Sequence, residues 1–168
     1  MLNTGEMIVI ATVQIYIYFY ELDLQTQIRQ VDLTNCSVKL FNFYIGDLLV
    51  TPDDLLVCTT EGDLVQLSLK AVKHDRDNNM DIKAVRNNFI TKLTGQLKAL
   101  SFLEKNSDDR ILYVAGENSK VYAFAFDNHE LIDIWSVGED ITAMDSHTFE
   151  NGSTHFAVGC SNGKLFMR

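Results

Sequence analysis

Apolar residues along this chain fall in short runs separated by polar turns, and the spacing of the runs repeats. Val114-Ala-Gly-Glu-Asn-Ser-Lys-Val121 and Val158-Gly-Cys-Ser-Asn-Gly-Lys-Leu165 match in register, 44 positions apart from Val114 to Val158. Each reads as an apolar strand, a turn of small polar residues and a second apolar strand, which is the pattern of a β-hairpin. Val57-Cys-Thr-Thr-Glu-Gly-Asp-Leu64 is a third copy, 57 positions before Val114. Ile8-Val-Ile-Ala-Thr-Val-Gln-Ile15 is a weaker first copy, 49 positions before Val57, without the glycine-type turn. The flanks repeat as well. Leu40, Leu97 and Ile141 stand 17 positions before the three valines and open further apolar segments, and Leu33, Ile90 and Ile134 stand seven positions before those.

Self-similarity at this period marks a stacked repeat whose units bury their faces against one another. Four strands per unit follow, a to d from the inside outward. In the unit with the fewest insertions they are Leu97 to Leu103, Ile111 to Gly116, Val121 to Phe126 and Leu131 to Val137. The units span 7–34, 38–93, 97–137 and 141–168 within a single domain over 1–168, the first expected to lack strand a and the last strand d. That makes 14 strands. The wider spacings exceed the 44-residue repeat by 13 and 5 residues, and both excesses are expected between c and d. The larger overlaps the polar stretch Ala71 to Arg86. It reads as a variable surface excursion or as a docking loop carrying His74, Asp75 and Arg76, since loops lengthen at little entropic cost and often carry binding.

Within Val121 to Phe126 the two-residue period puts Tyr122, Phe124 and Phe126 on one face and Val121, Ala123 and Ala125 on the other. Both faces are apolar, as in a sheet held between two others. Leu64 to Leu69 alternates more strictly and suggests a wetter face.

Composition narrows the class. With 168 residues, 46% hydrophobic and 22% charged, the chain can build one folded core. A net charge of −9 without clustered Lys or Arg opposes binding to nucleic acid. Cys36, Cys58 and Cys160 have no CxxC spacing, so buried free thiols are expected, with no disulfide framework and no metal site. Met7 to Tyr20 is an apolar run of 14 residues, too short for a membrane span of about 20. Its Val, Ile and Tyr content favours two strands, and no basic region precedes it. A cytoplasmic or nuclear protein is expected.

Four-stranded units at this spacing with a polar b–c turn resemble the blades of WD40-like β-propellers. Where that family often has Trp-Asp at the end of strand c, this chain has Phe126-Asp127. Thr94-Gly95-Gln96 and Gly138-Glu139-Asp140 occupy the place of the family's Gly-His pair. The resemblance implies an all-β fold, a partial or small propeller of antiparallel four-stranded blades, and a scaffold that binds proteins through its loops. The family's Asp-His-Ser/Thr-Trp hydrogen-bond network is not carried over.

No pattern with a catalytic mechanism occurs: no nucleophile elbow, phosphate-binding loop, HExxH or EF-hand series. Asp145 and His147 could share a strand face as a catalytic pair does, but they read as an ordinary polar strand end. Trp135 on strand d, with Tyr113 or Phe102, is either a partner-binding anchor or packs beneath the next unit. Catalytic and cofactor-binding residues are therefore assigned to none. A propeller-type enzyme or small-ligand sensor, and a truncated product, are the competing readings.

An unclosed arc leaves an apolar face bare at each end. About 500 Å² of such surface, at about 25 cal/mol per Å², is worth ~12 kcal/mol, comparable to a domain's whole stability. Completion by more chain, by a partner protein or by self-association is the expectation.

Overall fold

In the computed structural model the backbone is described for residues 2–3, 7–11, 16–21, 27–32, 45–68, 86–93, 95–106 and 109–168, and side chains for 45–66, 93, 95–104 and 109–168. The described residues form fifteen strands and no helix. They make four antiparallel sheets that follow chain order. The first holds β1 (Leu2–Asn3), β2 (Met7–Ala11), β3 (Tyr16–Glu21) and β4 (Gln27–Asp32). The second holds β5 (Ile45–Val50), β6 (Asp54–Thr59), β7 (Asp63–Ser68) and β8 (Arg86–Lys92). The third holds β9 (Leu97–Asn106), β10 (Asp109–Gly116), β11 (Lys120–Ala125) and β12 (Leu131–Ser136). The fourth has three strands, β13 (Ile141–Thr148), β14 (Thr154–Cys160) and β15 (Leu165–Met167). Inner strand meets inner strand at each step, β1 with β5, β5 with β9 and β9 with β13.

The expected all-β architecture of blade-like antiparallel sheets is present, with two corrections in register. The first sheet does have an inner strand: Leu2 pairs with Val9 and Asn3 with Ile8. Two residues are enough to pair an edge, but they are too short to leave a hydrophobic period. The inner strand of the second sheet is β5 at Ile45–Val50, not the segment opening at Leu40, which lies outside the described residues. Equal spacing misplaced it because its hairpin closes in three residues, Thr51-Pro52-Asp53. Thr51 N–H donates to the Asp54 carbonyl at 2.9 Å, and Thr51 Oγ1 accepts the Asp54 N–H at 3.1 Å.

The b–c turns share one backbone feature. Five residues after Val57, Val114 and Val158 stand Gly62, Ser119 and Gly163, with φ of 88°, 58° and 82°. Asn118 and Asn162 each accept, through Oδ1, the N–H two residues on, at 3.2 and 3.1 Å. In the second sheet Thr59 Oγ1 does this work, accepting the N–H of Asp63 at 3.1 Å. Side-chain capping of this kind explains the small polar residues of the repeat.

The core lies between sheets. Tyr122, Phe124 and Phe126 pack with Leu100, Leu112 and Val114 against Leu56, Cys58 and Leu64 of the second sheet. On the other face Ala99, Ala115 and Val121 receive Ile141, Phe156, Val158 and Cys160 of the fourth. The third sheet thus turns Tyr122, Phe124 and Phe126 backward and Ala99, Ala115 and Val121, flanked by Tyr113 and Trp135, forward, as the alternation in β11 predicts. The wetter face expected from Leu64 onward is absent over 64–66, because Leu64, Val65 and Gln66 are all buried and Gln66 is paired with His129 Nε2 at 3.1 Å. Polar links bridge the inner strands. Asp47 Oδ2 accepts the Leu100 N–H at 2.9 Å, and Ser146 Oγ donates to the Phe102 carbonyl at 2.9 Å.

Candidate protein-binding face

Repeat geometry makes the fourth sheet directly comparable with the third. Shifted by 44 positions, Val121 becomes Leu165 and Ala123 becomes Met167. Val121 and Ala123 are 0% and 4% exposed, whereas Leu165 and Met167 are each 66% exposed. On β13, Ala143, Asp145 and His147 are exposed where Ala99, Ser101 and Leu103 of β9 are buried. The forward face of the fourth sheet therefore repeats a buried surface with nothing laid on it. Its centre is small, with Ala143 beside Gly159, and its rim is aromatic, with Phe149 held between the rings of His147 and His155 at 4.7 and 5.1 Å.

β15 is also an open edge. Phe156 and Arg168 exchange two backbone hydrogen bonds, N to O at 3.0 and 2.9 Å, and Cys160 N–H donates to the Lys164 carbonyl at 3.0 Å. By antiparallel alternation the backbone groups of Leu165 and Met167 point away from β14.

Trp135 and Tyr113 meet, with ring centroids 5.9 Å apart, and Phe156 of the fourth sheet joins both at 5.7 and 4.3 Å. Trp135 is half-buried, so it serves chiefly as the cement between the third and fourth sheets. Arg168 lies over its ring at 5.0 Å and pairs with Asp133 at 3.4 Å. This cluster floors a cleft of about 280 Å³ at the outer ends of the two sheets. A second groove of about 240 Å³ runs from Trp135 and Val137 to Phe166 and Met167. Phe102 is not part of the cluster, because it faces the other way onto Phe126 at 4.9 Å. His74, Asp75 and Arg76 lie outside the described residues. Leu165 and Met167 escaped attention in the sequence because they read as ordinary strand residues. Their alignment with Val121 and Ala123 was the available signal.

Catalytic groups do not converge here. The Asp145 carboxylate accepts its neighbour's Ser146 N–H at 2.8 Å, and the His147 ring rests against Phe149. Cys58 and Cys160 are buried thiols. Burial, then the nearby Asp47 charge, raises the Cys58 thiol above its ordinary value. No group of three or more potential metal ligands occurs among the described residues.

Searches of family models and of curated proteins returned no match. The likeness is structural. The crystal structure of the computationally designed Ika4 protein aligns with a TM-score of 0.68 at 10% identity, over 97% of this chain and 84% of that one. The WD40 β-propeller domain of Doa1 aligns with a TM-score of 0.69 at 14% identity, over 96% of this chain. The chain spans 46% of that propeller's length. Likeness at this identity concerns the fold, and the fold is that of a β-propeller arc.

Proposed function

We propose that this chain is a non-enzymatic β-propeller scaffold that works through protein–protein contact, as part of a larger propeller or complex. The observation that carries the reading is the exposed forward face of the fourth sheet. Exposed apolar side chains such as Leu165 and Met167 on a sheet face, here bordered by Asp145, His147 and His155, mark an interaction site in a folded protein. Buried free thiols suit a reducing compartment, which favours the cytoplasm or nucleus. Phe149, Leu165, Phe166 and Met167, with Leu131, Ile132 and Ile134 on β12, are large apolar side chains in contact with water. A partner that covers them releases that water.

Hydrogen exchange and light scattering on the purified chain test the proposal. Weak protection of β13 to β15, raised when a binding partner is supplied, is the expected result. A monodisperse monomer in which β13 to β15 are as well protected as β9 to β11 overturns it.

A further inference from the structure

Resting on that scaffold reading, we infer that the forward face of the fourth sheet docks the first sheet of a second copy of this chain, so that two arcs close head to tail into one ring of eight sheets. The packing of the third sheet on the fourth supplies the argument. At the junction of third and fourth sheets, Ala99, Ala115 and Val121 of the leading sheet, with Tyr113 and Trp135 at the outer side, receive Ile141, Phe156 and Val158 of the following sheet. The face formed by Ala143, Ala157, Gly159, Leu165 and Met167 is the next leading surface in that series, one repeat on. What fits it is the backward face of another sheet of the same repeat. The second, third and fourth sheets already turn theirs to a preceding sheet. The first sheet has the same four-stranded order, meets the second through β1 and β5, and has no predecessor in the described chain. It does not cover the fourth sheet of its own chain, since Leu165 and Met167 are exposed.

Arc size points the same way. One chain spans 46% of a WD40 propeller domain that its fold matches, so two chains come close to a full ring. A two-fold axis along the ring makes both junctions identical and leaves no sheet face over. With roughly 500 Å² of surface on each side, two junctions bury about 2,000 Å² in total, the range of a stable dimer.

Light scattering of the chain at about 10 to 100 μM, the range in which weak dimers form, should give twice the 19.0 kDa monomer mass. Replacing Leu165 and Met167 together by Asp should raise the dimer dissociation constant by about 100-fold or more, as for other buried hot spots. Circular dichroism must show an unchanged strand signal in that variant. Crosslinks between the first and fourth sheets should appear only in the dimeric fraction. A monomer throughout that range, an open polymer, or a dimer indifferent to the double substitution overturns the inference. A monomer with weakly protected β13 to β15 removes the second copy and leaves the scaffold reading standing. One with those strands fully protected removes both.

Discussion

The rings of Tyr113 on β10 and Phe156 on β14 lie 4.3 Å apart, and this contact ties the third sheet to the fourth. Trp135 closes over both rings, so the junction is an aromatic plug whose third member carries the Arg168 guanidinium on its outer side. Side-chain-to-backbone bonds link the inner strands β5, β9 and β13, while aromatic rings on β10, β12 and β14 pack the junction of third and fourth sheets farther out.

Removing the centre of that plug should loosen the fourth sheet. Phe156 is buried, and Phe156→Ala is expected to destabilise by about 3–5 kcal/mol. Urea unfolding measures the loss. A double-mutant cycle with Tyr113→Leu should return a coupling of about 0.5–1.5 kcal/mol for the ring pair, and a value near zero would show that the rings act only as bulk.

Close approach of backbone to backbone fixes the second junction at a glycine. A Cβ on Gly46 would come within 2.1 Å of the Leu97 carbonyl oxygen, so Gly46→Ala must push β5 away from β9. A loss of about 1–3 kcal/mol is expected. On Gly159 the nearest atom to an added Cβ is Ala143 Cβ at 3.9 Å, and Gly159→Ala should change stability by less than about 1 kcal/mol. Equal effects from the two substitutions, in parallel denaturant titrations, would contradict this account.

Ser119 has the left-handed backbone that its repeat partners reserve for glycine, with φ at 58°. Ser119→Gly relieves a strain of about 1–2 kcal/mol, less the entropy gained by the unfolded chain, and should stabilise by up to about 1 kcal/mol. Thermal unfolding reads the sign. A clear loss would mean that the serine side chain contributes more than the backbone strain takes away.

Alkaline pH should weaken the third junction. Burial raises the Tyr113 phenol above its ordinary value of 10.0, with Arg168 opposing and Asp109 and Asp133 adding to the rise. A proton held more tightly when folded contributes stability that is complete below the unfolded value and fades as pH rises through the higher folded one. Tyr113→Phe should therefore flatten the stability profile above about pH 10 and leave it unchanged near pH 7. Chemical denaturation across that range decides it.

Asp47 spans two sheets: Oδ1 accepts the Leu48 N–H at 2.8 Å and Oδ2 the Leu100 N–H at 2.9 Å. Asp47→Ala strands the Leu100 amide within the junction and should destabilise by about 1–3 kcal/mol. Faster exchange at the Leu100 amide is the specific sign, and an unchanged rate there would assign the bond no structural role.

Local pattern was enough to reveal the repeat. Alternation in β11, the b–c turns after Val57, Val114 and Val158, and the outer strands around Ile90 and Ile134 all follow from nearest-neighbour chemistry. A strand face and a capped turn are decided within a few residues, so the sequence alone determines them. Where the sequence misled, the deciding feature left no apolar period to read. β5 is set by a short hairpin and by its approach to Leu97, and β1 exists only through its pairing with Val9 and Ile8. A bare face at each end of the arc was legible in outline, but the residues that form it were not. Leu165 and Val121 are equivalent in the repeat and equally apolar, yet one is bare and the other sealed. No property of either side chain separates them. Burial belongs to the sheet that comes next, and only the tertiary structure shows that one valine has such a neighbour and the matching leucine does not.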